Sequence, residues 1–343
     1  MRRLPGVLGL AAAATWVCAT TGGAVAQTIE LKIADSLPGG HVIHRLQLKP
    51  WMDEVQATTQ GKVSFKHFPG EQLGKAKDLL TLTQTGVADI GYIVPAYASD
   101  KMPLTSAFEL PGAFSNLCKG FGALWRLSHG GGFLEQKEFT PNQVVPVLML
   151  MLPTYQILIG TDRKITALKD MEGLKIRSAA GSMEFMAKTL NLVPIRMTPP
   201  EVYEALSRGT IDGAILPYQS AVSYSLDKLV KAGTVKTNFG TVAITYSIGK
   251  ARLESLPPEV RKALLELGEK HTLASCPLFE AEEARSLDKV KAAGMQSIEF
   301  GAADLMTLDG AFEKARADWA ETLEKRGKPG KDAIAAVAKA VAQ

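Results

Sequence analysis

One arginine and one apolar turn could together bind an organic anion. Arg177 follows the short predicted strand Leu174–Ile176, and Leu216 and Tyr218 flank a proline at the end of another predicted strand. The carboxyl ends of parallel strands meet at one edge of a sheet, where α/β sheets bind their ligands. A guanidinium stays charged when it leaves water and offers a carboxylate two parallel hydrogen bonds. The pattern therefore predicts a fixed positive charge beside an apolar and aromatic wall.

The elements that would position these residues alternate between strand and helix from Gly173 to Tyr218. Ser182 is predicted to cap one helix, whose first backbone amides could also contact an anion. The Thr-Pro-Pro-Glu segment at 198–201 combines a capping box with proline in the first turn of the next helix, and Gly209 suits the C-terminal cap of that helix. Strands that alternate with helices pair in parallel. The first hundred residues repeat the alternation, so the sequence predicts two α/β lobes.

Two apolar strands are predicted to connect the lobes. Val144–Leu152 leaves the first lobe and, after a turn at Pro153, continues as Ile157–Gly160. Val242–Ile248 is predicted to be a strand that returns to the first lobe. Two crossings of this kind would form a hinge.

The C-terminal part of the chain is predicted to be helical. From Leu256 to about Gly294 the sequence is rich in alanine, lysine and glutamate at helical spacing. A last helix around Phe312 and Trp319 is expected to precede an exposed, basic tail.

The first 26 residues have the features of a secretory signal. They begin with Arg2 and Arg3, continue with the apolar run Val7–Ala14, and end in the small residues at 24–26, Ala-Val-Ala. The apolar run is shorter than the roughly 20 residues that a transmembrane anchor needs. We therefore expect cleavage after Ala26, location in the periplasm, and no direct membrane insertion of the mature chain.

Composition excludes several classes of protein. With 46% hydrophobic and 22% charged residues, the chain has the profile of a soluble globular protein, and its 343 residues suit two domains. A net charge of +4 without a basic run argues against nucleic-acid binding. No spacing matches a metal site, a phosphate-binding glycine loop or a dinucleotide fingerprint, so we expect neither a metal nor a cofactor.

The cysteines and two of the histidines leave alternatives open. Cys118 and Cys276 would remain after signal cleavage, and they could form a disulfide or stay as free thiols. His41 and His44 could share one helical face, but the sequence favours a solvated or capping role for them over metal binding.

Five motifs, in order along the chain, resemble those of the extracytoplasmic solute-binding proteins of TRAP (tripartite ATP-independent periplasmic) transporters, of the dicarboxylate-receptor type. They lie at Phe68–Gly74, Gly86–Gly91, Glu109–Pro111, Asp170–Arg177 and Glu201–Gly213. The resemblance covers nearly the whole mature chain. The segments Asp170–Arg177 and Glu201–Gly213 are close to two signatures of that family.

The resemblance implies a fold, a partner and a role for Arg177. The expected fold is α/β, with two lobes of mixed sheets around a cleft that closes on an organic acid, and a long C-terminal helix that spans both. The expected partner is a separate membrane permease. Arg177 would pair with the ligand carboxylate, and the alternative is a structural salt bridge to Asp212 or Glu201. The expected domains are the signal at 1–26, a first lobe at 27–152 plus about 240–270, and a second lobe with the spanning helices at 153–239 plus about 271–343.

Two departures from the family pattern bear on the ligand. Leu216 stands where many members carry asparagine, and Tyr155-Gln156 occupies a region where several sialic-acid and dicarboxylate binders place another arginine. Losing two polar anchors predicts an aromatic or hydrophobic monocarboxylate, because tyrosines near the strand ends could stack on an aromatic acid. A short dicarboxylate or a keto acid is the alternative. The predicted ligand-binding residues are Arg177, Leu216, Tyr218, Tyr155, Gln156, Tyr92, Tyr97 and Ser182.

A secreted esterase is the competing hypothesis. The His-Gly-Gly-Gly segment at 129–132 is similar to the oxyanion-hole motif of some esterases, and Ser207 lies in a near variant of the nucleophile elbow. Asp227 and His271 follow in triad order. An elbow serine needs a sharp turn between strand and helix, whereas Ser207 falls in the last turn of a predicted helix. We therefore expect a binding protein rather than an enzyme.

Overall fold

Two mixed β-sheets, each covered by helices, form the two lobes of the protein. A computed structural model describes residues 28–343, so the predicted signal segment lies outside the described residues. The strands are β1 (Ile29–Ala34), β2 (Val63–Phe68), β3 (Ile90–Ile93), β4 (Val144–Met151), β5 (Gln156–Ile159), β6 (Lys175–Ser178), β7 (Val193–Arg196), β8 (Gly213–Leu216), β9 (Ala232–Thr234), β10 (Ala243–Gly249) and β11 (Gln296–Ile298). The helices are α1 (Lys49–Thr58), α2 (Leu79–Gln84), α3 (Leu117–Ser128), α4 (Ser182–Thr189), α5 (Pro199–Ser207), α6 (Tyr218–Ser223), α7 (Lys250–Glu254), α8 (Pro258–Ala292), α9 (Ala302–Lys325) and α10 (Gly330–Val341).

The sheet of the first lobe has the strand order β2-β1-β3-β10-β4, and that of the second has the order β11-β9-β5-β8-β6-β7. In the first sheet β1 pairs in parallel with β2 and β3, while β10 runs antiparallel to β3 and β4. In the second sheet β6 pairs in parallel with β7 and β8, as its alternation of strands and helices predicts. Both sheets are therefore mixed, and the predicted fold class is confirmed.

The parallel pairing in the second lobe places the predicted anion site at one sheet edge. Arg177 lies opposite Ile195 of β7 and opposite Ala214 of β8 in the register. The capping box at the start of α5 is present, since the Thr198 amide donates to Glu201 Oε2 at 2.8 Å. Gly209 takes the left-handed conformation that ends this helix, with φ at +68°.

The chain crosses between the lobes at two adjacent segments. One crossing joins β4 to β5, and the other leads from β9 to β10. The two segments are held together by backbone hydrogen bonds, from Leu152 N to Val242 O at 3.1 Å and from Tyr155 N to Gly240 O at 2.9 Å. The predicted pair of connecting strands is thus present, and they run side by side.

A single helix, α8, spans both lobes. Its 35 residues correspond to about 52 Å of helix, at 1.5 Å per residue. It packs against α1, α3 and β4 of the first lobe and against α6 of the second. Gly268 lets the helix approach β4, because a Cβ atom at this position would lie 2.0 Å from the Val147 carbonyl oxygen. Within residues 28–343 no helix is both long and apolar enough to cross a membrane.

The prediction of an exposed, basic tail after the last helix is wrong. The residues after α9 form the helix α10, which packs against α3 and α9. Ala333, Val337 and Ala340 are buried there, and their spacing gives α10 one apolar face. Burial of that face returns the C-terminus to the first lobe, while α9 itself packs against α4 of the second.

The two cysteines that the sequence left open form a disulfide. Cys118 lies in α3 and Cys276 in α8, with their Cα atoms 5.4 Å apart. The bond closes a loop between residues 158 positions apart in sequence. It fixes the spanning helix to the first lobe.

Removing this disulfide is expected to destabilise the protein. A long closed loop restricts the unfolded chain, and such bonds contribute about 2–4 kcal/mol to the free energy of unfolding. Urea titrations followed by tryptophan fluorescence should show that loss for the double variant Cys118→Ala/Cys276→Ala. A reducing agent should lower the stability of the wild type by a similar amount and leave the double variant unchanged. Equal midpoints for the wild type with and without reductant would contradict the expectation.

Candidate functional site

The Arg177 side chain is fully buried near the carboxyl end of β6, which lies between β7 and β8 in the second sheet. Its Nε donates to the Met197 carbonyl at 3.0 Å, and its Nη1 donates to the Ile215 carbonyl at 3.1 Å. These carbonyls follow β7 and lie in β8, the two strands that flank β6. Neighbouring parallel strands therefore hold the guanidinium in place through backbone groups. The guanidinium has five N–H donors in all, so donors remain for another partner.

No carboxylate of the described chain, residues 28–343, lies within 4.0 Å of the Arg177 guanidinium. The structural salt bridge considered for it is not formed. Asp212 instead accepts the Lys175 amide at 2.8 Å, and Glu201 accepts the Thr198 amide at 2.8 Å. A buried charge without a counter-ion is unfavourable, so this position favours binding of an anion.

A small cavity lies between the two lobes and the crossing segments. Tyrosine rings and aliphatic side chains make up most of its lining. The lining residues are Leu37, His41, Ile43, Tyr92, Val94, Tyr97, Leu152, Tyr155, Pro199, Leu216, Ser220, Tyr224, Val242 and Ile244. The set combines the loop after β1, the end of β3, both crossings, and residues of the second lobe after β7 and β8.

Arg177 lies close to the tyrosines of this cavity, which we call the tyrosine cavity. Burial raises the pKa of Tyr97, and the positive charge of Arg177 opposes that rise. Burial likewise raises the pKa of Tyr155, and Arg177 is the strongest opposing influence. The interaction between a charge and a phenol weakens with distance, so this influence agrees with a position of Arg177 near the two rings. The arrangement places one buried cation next to an apolar and aromatic space.

Four of the predicted binding residues line the tyrosine cavity together: Tyr92, Tyr97, Tyr155 and Leu216. The sequence also placed the Arg177 charge beside them. Leu216 is 1% exposed, so the apolar side chain at this position forms part of the wall.

Tyr218 and Gln156 lie elsewhere, in a separate cleft beside α8. The Tyr218 hydroxyl donates to the Thr234 carbonyl at 2.7 Å. The Gln156 amide donates to the Thr237 carbonyl at 2.7 Å and accepts from the Thr234 hydroxyl at 2.7 Å. Side chains alternate across a strand, so Gln156 points away from the face that Tyr155 lines. The Tyr218 hydroxyl and the Gln156 amide therefore form hydrogen bonds within the protein itself.

Ser182 does not cap its helix. The N-cap is Gly181, with φ at +59°, and Ser182 is the first residue of α4. The Ser182 hydroxyl is buried without a hydrogen-bond partner among residues 28–343. A Cβ atom on Gly181 would lie 2.9 Å from Ser106 Oγ and 3.5 Å from Glu109 Oε2, so the loop of the first lobe reaches the start of α4.

A carboxyl group of the first lobe, that of Glu109 in the segment Glu109–Pro111, thus lies near the start of α4. Its side chain is 3% exposed. Burial raises the pKa of Glu109 to about 7, although the Ser106 hydroxyl and the Ala243 amide act in the opposite direction. The Glu109 carbonyl also accepts the Thr241 amide at 3.3 Å, within the second crossing. Glu109 therefore links the second crossing of the lobes to α4.

Two lining residues, His41 and Tyr224, were not predicted as binding residues. The capping role favoured for His41 is confirmed, because its Nδ1 accepts the Ile43 amide at 3.2 Å. The same side chain is only 3% exposed and faces the cavity. Tyr224 follows α6, and its ring centroid lies 5.4 Å from that of His41. No local pattern marks either residue, since the two meet only in the folded chain.

The residues of the esterase hypothesis have other partners in the structure and do not form a catalytic triad. Ser207 ends α5 and donates to the Tyr203 carbonyl at 2.8 Å, so it caps its own helix rather than standing on an elbow. His271 on α8 pairs with Glu54 on α1, at 2.7 Å. Asp227 lies 3.6 Å from the Lys289 ammonium.

The family model of bacterial extracellular solute-binding proteins, family 7, matches residues 33–325. The chain belongs to this family. Its members are receptors of TRAP transporters rather than enzymes. The chain is 24% identical to a solute-binding protein of Albidiferax ferrireducens, over 85% of this chain and 84% of that protein. It is 26% identical to the C4-dicarboxylate-binding periplasmic protein DctP of Rhodobacter capsulatus, over 83% of each.

Solved TRAP receptors share the fold. A TRAP solute-binding protein from Rhodoferax ferrireducens T118, in complex with copurified benzoate, has a TM-score of 0.84 at 23% identity and covers 92% of this chain and 98% of its own. A marine metagenome receptor specific for aromatic acid ligands, in complex with metahydroxyphenylacetate, has a TM-score of 0.82 at 24% identity, with the same coverage. This TRAP receptor therefore has the two-lobed fold of its family.

The buried Glu109 makes the stability of this receptor depend on pH. In the folded state the Glu109 carboxyl group keeps its proton up to about pH 7, whereas in the unfolded chain this group loses the proton near pH 4.5. Between those values the unfolded state binds fewer protons, so the free energy of unfolding falls as pH rises. The stabilisation that Glu109 contributes is fully present below pH 4.5 and is lost as the pH rises to about 7. This loss lowers the free energy of unfolding by about 3 kcal/mol.

The measurement is a series of urea titrations from pH 5 to pH 8. Glu109→Gln should show a shallower decrease than the wild type, because the amide does not titrate. Some slope should remain, since burial also raises the pKa of Glu138 and of Glu283 to about 7. Glu313→Gln, at an exposed side chain, is the matched control. Parallel slopes for Glu109→Gln and the wild type would contradict the assignment.

Proposed function

We propose that this TRAP receptor captures an aromatic monocarboxylate, with benzoate as the simplest representative, and delivers it to a membrane permease. The observation that carries the proposal is the buried, unpaired Arg177 beside the tyrosine cavity. A carboxylate would complete the ion pair, and the ring would lie among tyrosine and aliphatic side chains. Export with cleavage after Ala26 belongs to the same proposal, because a receptor of this kind works outside the cytoplasmic membrane.

The charge balance of the cavity supports one carboxylate rather than two. No lysine or arginine is among its lining residues within the part of the chain that the structure describes. Burial lowers the pKa of the lining His41 to about 3, so this imidazole is neutral at physiological pH. A second carboxylate would be buried without a compensating charge, which is unfavourable. A short dicarboxylate therefore suits the cavity less well than an aromatic monocarboxylate.

Closure of the lobes would complete the site. Residues of both lobes and of both crossings line the cavity, so a ligand there contacts every part that moves in a hinge motion. The adjacent crossings are the proposed hinge, and they divide the chain close to residues 152 and 240. A bound acid would favour the closed arrangement, which the permease then recognises.

The ligand class is tested by thermal shift of the purified receptor. Benzoate, succinate and pyruvate are compared at equal concentration, because a ligand that binds only the folded state raises the melting temperature by an amount that grows with the ratio of its concentration to its Kd. Benzoate should give the largest shift. A shift with succinate or pyruvate alone would contradict the aromatic class and leave the receptor role in place.

Replacing Arg177 by alanine should lower the affinity for benzoate by about 2 kcal/mol or more, roughly thirtyfold, because the carboxylate loses its charged partner. Calorimetry measures the change. Arg177→Lys should fall between alanine and the wild type, since it keeps the charge and loses the planar fork. Arg163→Ala is the control, as this exposed arginine of the second lobe donates to the Glu172 carbonyl. Unchanged affinity in a folded Arg177→Ala would remove Arg177 from the site.

Replacing Leu216 by asparagine should weaken benzoate binding. The amide would enter the apolar wall without a partner, at a cost of about 1–3 kcal/mol. Leu216→Met is the matched control, because it nearly conserves volume and polarity. Tighter binding of benzoate by Leu216→Asn would show that the wall around the ligand is polar.

A further inference from the structure

His41 presents a hydrogen-bond donor to the tyrosine cavity that the fold does not use. Its Nδ1 accepts the Ile43 amide at 3.2 Å. An imidazole nitrogen that accepts an N–H carries no proton, so the proton of the neutral ring lies on Nε2. The Nε2 atom is buried and has no hydrogen-bond partner anywhere in residues 28–343. Because a buried donor without a partner is unfavourable, its place in a ligand cavity points to a group of the ligand.

The imidazole is held in one orientation and one charge state. The bond to Ile43 fixes the ring from one side, and the ring of Tyr224 packs against it with centroids 5.4 Å apart. Burial and, to a smaller extent, the charge of His44 lower the pKa of His41 to about 3. The side chain therefore acts as a neutral donor throughout the physiological pH range.

His41 lines the cavity from the first lobe, and Arg177 lies beside the cavity in the second lobe. His41 follows β1 in the first lobe, and Arg177 lies in β6 of the second. A ligand held at both ends would bridge the lobes.

We propose that His41 Nε2–H is a second ligand-binding donor, which selects aromatic acids that carry a neutral hydrogen-bond acceptor, such as a phenolic oxygen, away from the carboxylate. The inference rests on the proposed function, because it needs the carboxylate at Arg177. A neutral donor suits a neutral acceptor and does not compensate a second carboxylate. The ligand class is therefore that of hydroxy-substituted benzoates.

The test compares ligands of matched shape by calorimetry. The probes are benzoate, 3-hydroxybenzoate, 4-hydroxybenzoate and the two corresponding methylbenzoates, in which a methyl group replaces the hydroxyl. At the isomer whose oxygen reaches His41, the wild type should prefer the hydroxyl to the methyl group by about tenfold, as one hydrogen bond to a buried donor provides. A site built for a hydrogen bond rejects the analogue without it, because its own polar group is then left unpaired.

Two substitutions of His41 separate the donor from the shape of the ring. His41→Phe removes the N–H, so the ratio of the affinities for the hydroxyl and the methyl analogue should fall to about one, whatever affinity the variant keeps for benzoate itself. His41→Gln keeps an N–H donor near the Nε2 position and should retain part of the preference. His271→Gln is the control, since this histidine pairs with Glu54 on α1 away from the cavity. Melting curves without ligand verify that each variant is folded.

The outcomes separate this inference from the function on which it rests. If benzoate binds and the wild type shows no hydroxyl preference for either isomer, His41 is not a ligand-binding donor, and the receptor for aromatic acids stands. A hydroxyl preference that persists in His41→Phe assigns the recognition to another group and overturns the inference in the same way. If no aromatic acid binds the wild type, the proposed function and the inference fall together.

Discussion

The structure of this receptor depends on a charge that the fold buries without a counter-ion. The Arg177 guanidinium is held by carbonyls of the two segments beside its strand, and no carboxylate of the described chain reaches it. Backbone carbonyls orient the group but neutralise little of its charge, so the site is organised before any ligand arrives. An anion that enters gains a partner whose geometry is already fixed. On the proposed function, recognition of a carboxylate would follow from the sheet itself rather than from mobile side chains.

The same sheet edge is coupled to the connection between the lobes. Glu109 lies against Gly181 at the start of α4, and its backbone carbonyl accepts the Thr241 amide in the second crossing. Burial raises the pKa of its carboxyl group to about 7. The disulfide and α8 hold the first lobe from the opposite side.

The sequence predicts the parts of this molecule that arise from local patterns. The α/β lobes, the two crossings and the capping box at Thr198 follow from hydrophobic periodicity and turn chemistry, and they are present. It fails where the answer depends on packing between distant segments. The face that Gln156 presents depends on strand register, and burial of Val337 depends on the surface of α3, which local composition does not show. The pairing of Cys118 with Cys276 likewise depends on packing between distant segments.

The candidate site likewise combines a residue that a local motif identifies with residues that only the folded chain brings together. Arg177 is identifiable from its motif, because the charge must lie at a fixed place on a fixed strand. His41 carries no such mark, since its role in the fold is an ordinary helix cap and only tertiary packing brings the unused nitrogen to the cavity. Capping occupies one ring nitrogen and fixes the proton on the other, so one local hydrogen bond orients a donor for an interaction between the lobes. In the proposed arrangement the carboxylate anchor would belong to the second lobe, and selectivity for the distal group would belong to the first. Specificity can then change through residues such as His41 and Leu216, while Arg177 and the sheet that holds it stay constant.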